Sequence, residues 1–102
     1  MKRTVNLGDS FPDVTLHYLT SLIKRREYAN VIKYYEDNRS EFDSFGGTRA
    51  GESLHLVSQA YASLNNHPSA LRTARLAQQK AVEDGDSILL AEIFTTIGSV
   101  MI

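Results

Sequence analysis

Three histidines, His17, His55 and His67, are the side chains in this sequence best suited to general acid–base chemistry or to holding zinc. No two of them stand one helical turn apart and there is no HExxH, so a metal site would need convergence from distant parts of the chain. His55 reads as a surface or groove residue, and His67, which precedes Pro68, as a turn residue. Carboxylates occur as adjacent pairs, Glu36 with Asp37 and Glu83 with Asp84, among polar neighbours at the ends of helical runs. An acid/base pair needs two carboxyl groups in contrasting environments, whereas these have the pattern of a solvated surface. Gly46 and Gly47 lack the lysine and the following helix start of a phosphate cradle. There is no GxSxG and no cysteine to act as a thiolate nucleophile. Lys24, Arg25 and Arg26 could meet phosphates, but Glu27 follows at once and the run closes a helix, where cations complement the dipole. Tyr28, Tyr34 and Tyr35 could offer a stacking platform, yet their helical spacing suits packing, with Tyr34 the most outward. The expectation is a protein that is not an enzyme and carries no cofactor and no metal.

Composition narrows the class further. A chain of 102 residues makes one small domain, burying about 65% of the surface its unfolded form exposes. It is 42% hydrophobic and 23% charged, a balance that argues against disorder. Eleven basic residues against twelve acidic ones give a net charge of −1, without the positive footprint of a nucleic-acid binder. With no cysteine, disulfides and thiolate-ligated metals are excluded. No apolar run approaches the ~20 residues of a membrane span, and Met1 to Ser10 carries no hydrophobic segment of a secretory signal. A cytoplasmic protein is expected, with no membrane and no nucleic acid among its partners.

The elements that would position any site are helices. The first opens at Ser10, Phe11, Pro12 and Asp13, where serine and aspartate can form a capping box, and carries Leu16, Leu19, Leu22 and Ile23. A second runs from about Tyr28 to Arg39 with Tyr28, Val31, Ile32 and Tyr35 on one face. Residues 41–49 read as a linker, because adjacent Gly46 and Gly47 together cost about 2 kcal/mol in a helix interior. A third helix bears Leu54, Val57, Tyr61 and Leu64; a fourth begins at Pro68 and presents Ala70, Ala74, Ala77 and Ala81. Gly85 supplies a left-handed helix end, and Asp86 or Ser87 caps a fifth helix with Leu90, Ala91, Phe94, Ile97 and Met101.

These helices repeat. Leu22, Tyr28, Val31 and Ile32 recur 39 residues later as Tyr61, His67, Ala70 and Leu71; Leu54, Val57, Ser58 and Tyr61 recur 40 residues later as Phe94, Ile97, Gly98 and Met101. The second hairpin, with Leu54, Val57, Ser58 and Tyr61 on one helix and Ala70 and Ala77 on the next, resembles the tetratricopeptide repeat. Ala74 departs from that pattern, since the family places an aromatic there, and Val82 replaces the closing proline. The first hairpin resembles it best from Tyr28 to Tyr35, with Val31 in the alanine position. A period of 39 to 40 is similar to the longer variants found in bacterial regulators, signalling proteins and kinesin light chains. A generic five-helix bundle sharing only helical periodicity is the competing reading.

The resemblance implies an all-α, right-handed superhelix of antiparallel hairpins: hairpin 1 at about 10–40, hairpin 2 at about 50–84, and the first helix of a third repeat at about 86–102. It also implies a non-catalytic protein–protein interaction module, binding a peptide or partner protein on the concave face of the first helices. Carried over position by position, that face holds Asp13, Leu16, Thr20, Ile23 and Lys24 from the first hairpin. Glu52, His55, Leu56, Gln59 and Ser63 follow from the second, and Glu92, Thr95 and Ser99 from the partial third. Co-chaperone members clamp a terminal carboxylate with lysines and asparagines; Leu16, Thr20, His55 and Gln59 take those places, so a chaperone-tail receptor is not expected. The last helix, ending at Met101 and Ile102, is expected to meet a partner, either in a longer array or in a homo-oligomer. A peptide-sensing segment of a larger signalling or transcription-regulating protein is the alternative reading.

Overall fold

The computed structural model describes the backbone of residues 7–44 and 48–101 and the side chains of residues 14–42 and 50–100. Its elements are α1 (Leu7–Lys24), α2 (Tyr28–Asp37), α3 (Arg39–Ser44), α4 (Thr48–Ser63), α5 (His67–Asp84) and α6 (Ser87–Met101). There is no strand among the described residues, and the chain is all-α. No helix among them is long and apolar enough to cross a membrane.

The turns show why the chain folds back where it does. α1 ends with Arg26 in the left-handed region at φ 61°, and the Glu27 amide donates to the Leu22 carbonyl at 2.9 Å. α4 ends the same way 39 residues later: Asn65 has φ 63° and the Asn66 amide donates to the Tyr61 carbonyl at 2.9 Å. Glu27 and Asn66 each precede the next helix with nearly equal backbone angles, φ −91°, ψ 63° and φ −93°, ψ 75°. The repeat in sequence is thus a repeat in backbone conformation. α5 closes similarly, with Gly85 at φ 71° and the Asp86 amide on the Ala81 carbonyl at 3.0 Å. Asp86 caps α6 as expected, accepting from the Leu89 amide at 3.0 Å, and Asn66, a cap the sequence reading did not name, accepts from the Ser69 amide at 3.3 Å.

Several boundaries differ from the sequence reading. α1 begins at Leu7 rather than Ser10, which sets Pro12 inside the helix, where it supplies no amide to the Gly8 carbonyl. The Ser10 and Asp13 side chains lie outside those described. α2 stops at Asp37, where Asn38 leaves helical angles at φ −118°, ψ 27°; its backbone amide is shared between the Tyr34 and Tyr35 carbonyls at 3.1 and 3.2 Å, and its side-chain amide also donates to the Tyr34 carbonyl at 2.9 Å. The expected linker at 41–49 is helical through Ser44 and again from Thr48, making six helices among the described residues where about five were expected; Gly46 and Gly47 fall outside them. The physical reason for α3 is Phe42, which is 1% exposed and meets the rings of Tyr35 and Tyr34 edge-on at 5.0 and 6.4 Å. Leu64 follows the end of α4 and is 48% exposed instead of joining its stripe.

α4 is the hub. Leu54, Val57, Ala60 and Tyr61 are buried between α1 and α2 on one side and α5 on the other. The buried alanines Ala70, Ala74, Ala77 and Ala81 let α5 approach closely. Ser58 Oγ donates to the Ala70 carbonyl at 2.8 Å, and a Cβ added at Gly51 would stand 3.6 Å from both the Ala77 carbonyl oxygen and the Ala81 nitrogen. α6 packs on α5 and α4 through Leu89, Ile93 and Val100. That face is rotated from the expected one: Leu90 and Ile97 sit at its edge, while Ala91 and Phe94 are exposed. α6 is apolar around most of its circumference, so spacing alone left two candidate faces. The whole measures 52 × 30 × 22 Å.

Candidate functional site

α1, α4 and α6 stand side by side, α4 in the middle. Leu16 and Thr20 lie level with Glu52, Leu56 and Glu92, whereas Ile23 lies level with Gln59, Ser63, Thr95 and Ser99. Residue numbers rise in the same direction on all three helices, which therefore run parallel. Among the described residues, three depressions on their shared outer face bear on the site.

The first, about 700 Å³, is lined by Leu16, His17, Thr20, Ser21 and Lys24 of α1, by Arg25 in the turn after it and by Glu52 of α4. A second, about 210 Å³, shares Leu16, Thr20 and Glu52 with the first and adds His55, Leu56, Leu89 and Glu92. The third, about 410 Å³, lies at the other end between Ile23, Tyr28, Gln59, Ala62, Ser63, Thr95, Thr96, Ser99 and Val100. Every residue selected from the sequence for the concave face and described with its side chain lines one of these three. Asp13 alone has a side chain outside the described residues. Spacing missed His17, Ser21, Arg25, Tyr28, Ala62, Leu89, Thr96 and Val100. Tyr28 could have been found as the residue beside the left-handed turn that returns toward Ile23; Leu89 and Thr96 required the true rotation of α6.

Charge is concentrated in the first two depressions. Lys24 and Arg25 bring positive charge to the first, which Glu52 also lines, with Arg25 Nε 3.0 Å from Glu27 Oε2 across the turn. Glu52 and Glu92 bring acid to the middle depression, and the third is lined by hydroxyls, an amide and aliphatic carbon. Of the two expectations for His55, the groove holds and the surface does not: it lines the second depression but is 7% exposed, because α6 lies over it, and its Nε2 is 2.7 Å from Thr96 Oγ1. Burial holds its pKa below the ordinary 6.5, partly opposed by the charge of Glu92. Behind the groove, Tyr61 donates its hydroxyl to Glu36 Oε2 at 2.9 Å. Burial, then that bond to a carboxylate, pushes its pKa up to about 12. Thr15 Oγ1 and Tyr34 Oη are 3.1 Å apart, joining α1 to α2.

This arrangement offers hydrogen-bond donors and acceptors over an apolar floor. Glu36 and Asp37 lie on α2, where Asp37 Oδ2 pairs with Lys33 Nζ at 3.0 Å, and both carboxylates are exposed. Among the described residues no group of three or more histidines, aspartates or glutamates could hold a metal ion. Compared with known proteins, the chain matches no family model, no curated protein and no solved structure.

Proposed function

We propose that the groove across α1, α4 and α6 binds a peptide or a segment of a partner protein, and that the chain is a non-catalytic protein–protein interaction module of tetratricopeptide-like build. The observation that carries this reading is the convergence of eleven residues carried over from the resemblance: Leu16, Thr20, Ile23, Lys24, Glu52, His55, Leu56, Gln59, Ser63, Thr95 and Ser99 line one face of three parallel helices. The 39-residue recurrence of the interhelical turns supports the repeat on which that choice rested. Helices pack about 8–10 Å apart, so crossing three of them spans about 20 Å, the length of about six extended residues. The mixed lining suits such a segment: backbone groups meet Gln59, Thr95 and Ser99 while side chains enter beside Leu16, Ile23 and Leu56.

His55 is a poor probe, since truncating it disturbs the α4–α6 packing. Gln59→Arg, Ser99→Arg and Thr20→Arg fill the groove from half-buried or exposed positions. Peptides selected from a random displayed library against the wild-type chain should bind each variant at least about tenfold more weakly by fluorescence anisotropy, a loss of about 1.4 kcal/mol. Selection that yields no binder, or binders indifferent to all three variants, refutes the proposal.

A further inference from the structure

The groove carries unlike charges toward two opposite corners. Glu52 is the single carboxylate of α4 and Glu92 the single charged residue of α6, and they stand 40 residues apart, the offset at which Leu54, Val57 and Ser58 recur. They therefore occupy one place on the two repeats, and both line the second depression, level with Leu16 and Thr20. Lys24 and Arg25 lie further along, beside Ile23, where the adjoining depression between Ile23, Gln59 and Thr95 is lined by no charge. Complementing the dipole of α1 requires a cation in its last turn but not on its groove side. Arg25 is paired with Glu27, whereas Lys24 and Glu92 make no ion pair among the described residues, and both are exposed.

We propose that the segment held in the groove is bipolar, setting an acidic side chain on Lys24 and a basic one on Glu92, about six residues apart. This deepens the peptide-binding reading and rests on it. A charge covered by a ligand loses water, a cost that an opposite charge on the ligand offsets. A uniformly acidic segment meets Glu52 and Glu92, and a uniformly basic one meets Lys24 and Arg25; opposite charges at the two ends avoid both repulsions. The spacing follows from the helices. Lys24 is four residues beyond Thr20 and eight beyond Leu16, so it lies about 6–12 Å further along the helix axes than Glu92 at 1.5 Å per residue. From α1 to α6 is two helix spacings, about 16–20 Å. The diagonal is about 17–23 Å, which an extended segment covers in about five to seven residues. Side chains six apart on such a segment point to the same side, and its middle crosses α4 over Leu56 and Gln59. Leu89 beside Glu92 offers an apolar wall to the aliphatic stem of a lysine or arginine.

The test starts from peptides selected from a random displayed library against the intact chain, whose sequences should be enriched in an acidic and a basic residue about six positions apart. Binding of the tightest such peptide is followed by fluorescence anisotropy at about 20 mM salt, where surface charges are little screened. Exchanging the peptide's acidic residue for lysine, or its basic residue for glutamate, should weaken binding to the unmodified chain about three- to tenfold, the scale of an exposed attraction turned into a repulsion. Lys24→Glu should restore the first exchanged peptide and Glu92→Lys the second, each by a similar factor and with unchanged circular dichroism, since both positions are exposed. Raising the salt to about 0.5 M should remove most of each effect. Peptides that are weakened by the three arginine variants yet carry no such charge pair, or whose charge exchanges the matching variants do not restore, overturn the proposal and leave the peptide-binding reading standing. If no peptide is selected, or none responds to the arginine variants, the peptide-binding reading falls and the bipolar ligand with it.

Discussion

Phe42→Ala tests whether α3 is a docked element or a linker. The side chain is 1% exposed, with ring centroids 5.0 Å from Tyr35 and 6.4 Å from Tyr34. Removing a buried phenylalanine costs about 3–5 kcal/mol, of which each lost edge-on aromatic pair accounts for about 0.5–1.5. α3 is six residues long and packs chiefly on α2, so the segment can settle into part of the space, which favours the lower end, about 3 kcal/mol. For a domain of this size that lowers the melting temperature by about 12–24 °C, at about 4–8 °C per kcal/mol. The assay is urea unfolding followed by circular dichroism at one low protein concentration, with Leu64→Ala as the comparison. Leu64 is 48% exposed, and its truncation should cost less than about 1 kcal/mol. If Phe42→Ala costs no more than Leu64→Ala, the ring is not anchored and residues 41–44 behave as the linker that the glycine pair suggested.

Ser53 is fully buried in α4, and its Oγ has no hydrogen-bond partner among the described residues, so Ser53→Ala should leave stability unchanged or raise it by about 1 kcal/mol in the same urea assay; a loss above about 1 kcal/mol contradicts this. Burial lowers the His55 pKa in the folded chain below 6.5, so the unfolded chain takes up the proton first. Wild-type stability should therefore be unaffected by this group above pH 6.5 and fall as the pH drops below it, by at most about 1.4 kcal/mol per pH unit. His55→Asn should remove that part of the slope, and an identical slope in the variant would show that His55 is not its source.

What could be read beforehand depended on whether one residue decided the local conformation. Gly85 imposes a left-handed angle and Pro68 a helix start, and α5 begins and ends beside them. The turn at Arg26 has the same left-handed geometry without a glycine, and an arginine there gives no local signal; only its alignment with Asn65 at the 39-residue offset does. α3 was hidden because its stabilisation comes from Phe42 meeting Tyr34 and Tyr35, a tertiary contact that six residues of intrinsic propensity do not reveal. The alanines of α5 were legible as a close-packing face, and Ser58 and Gly51 beneath them show how close the approach is.

α6 explains both the success and the failure of the spacing argument at the candidate site. The residues assigned to its groove side, Glu92, Thr95 and Ser99, are polar and do line the groove. The apolar side had two solutions, one centred on Leu89, Ile93 and Val100 and one on Leu90, Phe94 and Ile97, and periodicity weighs them equally. What selects the first is the shape of its neighbours: Leu89 Cδ2 reaches so near Gly51 that a Cβ there would stand 2.8 Å away. A ring at that position would need space that the close α4–α5 contact does not leave. The same selection places His55 beneath Thr96 and turns Phe94 outward, so the buried imidazole and the exposed ring follow from a single rotation of one helix.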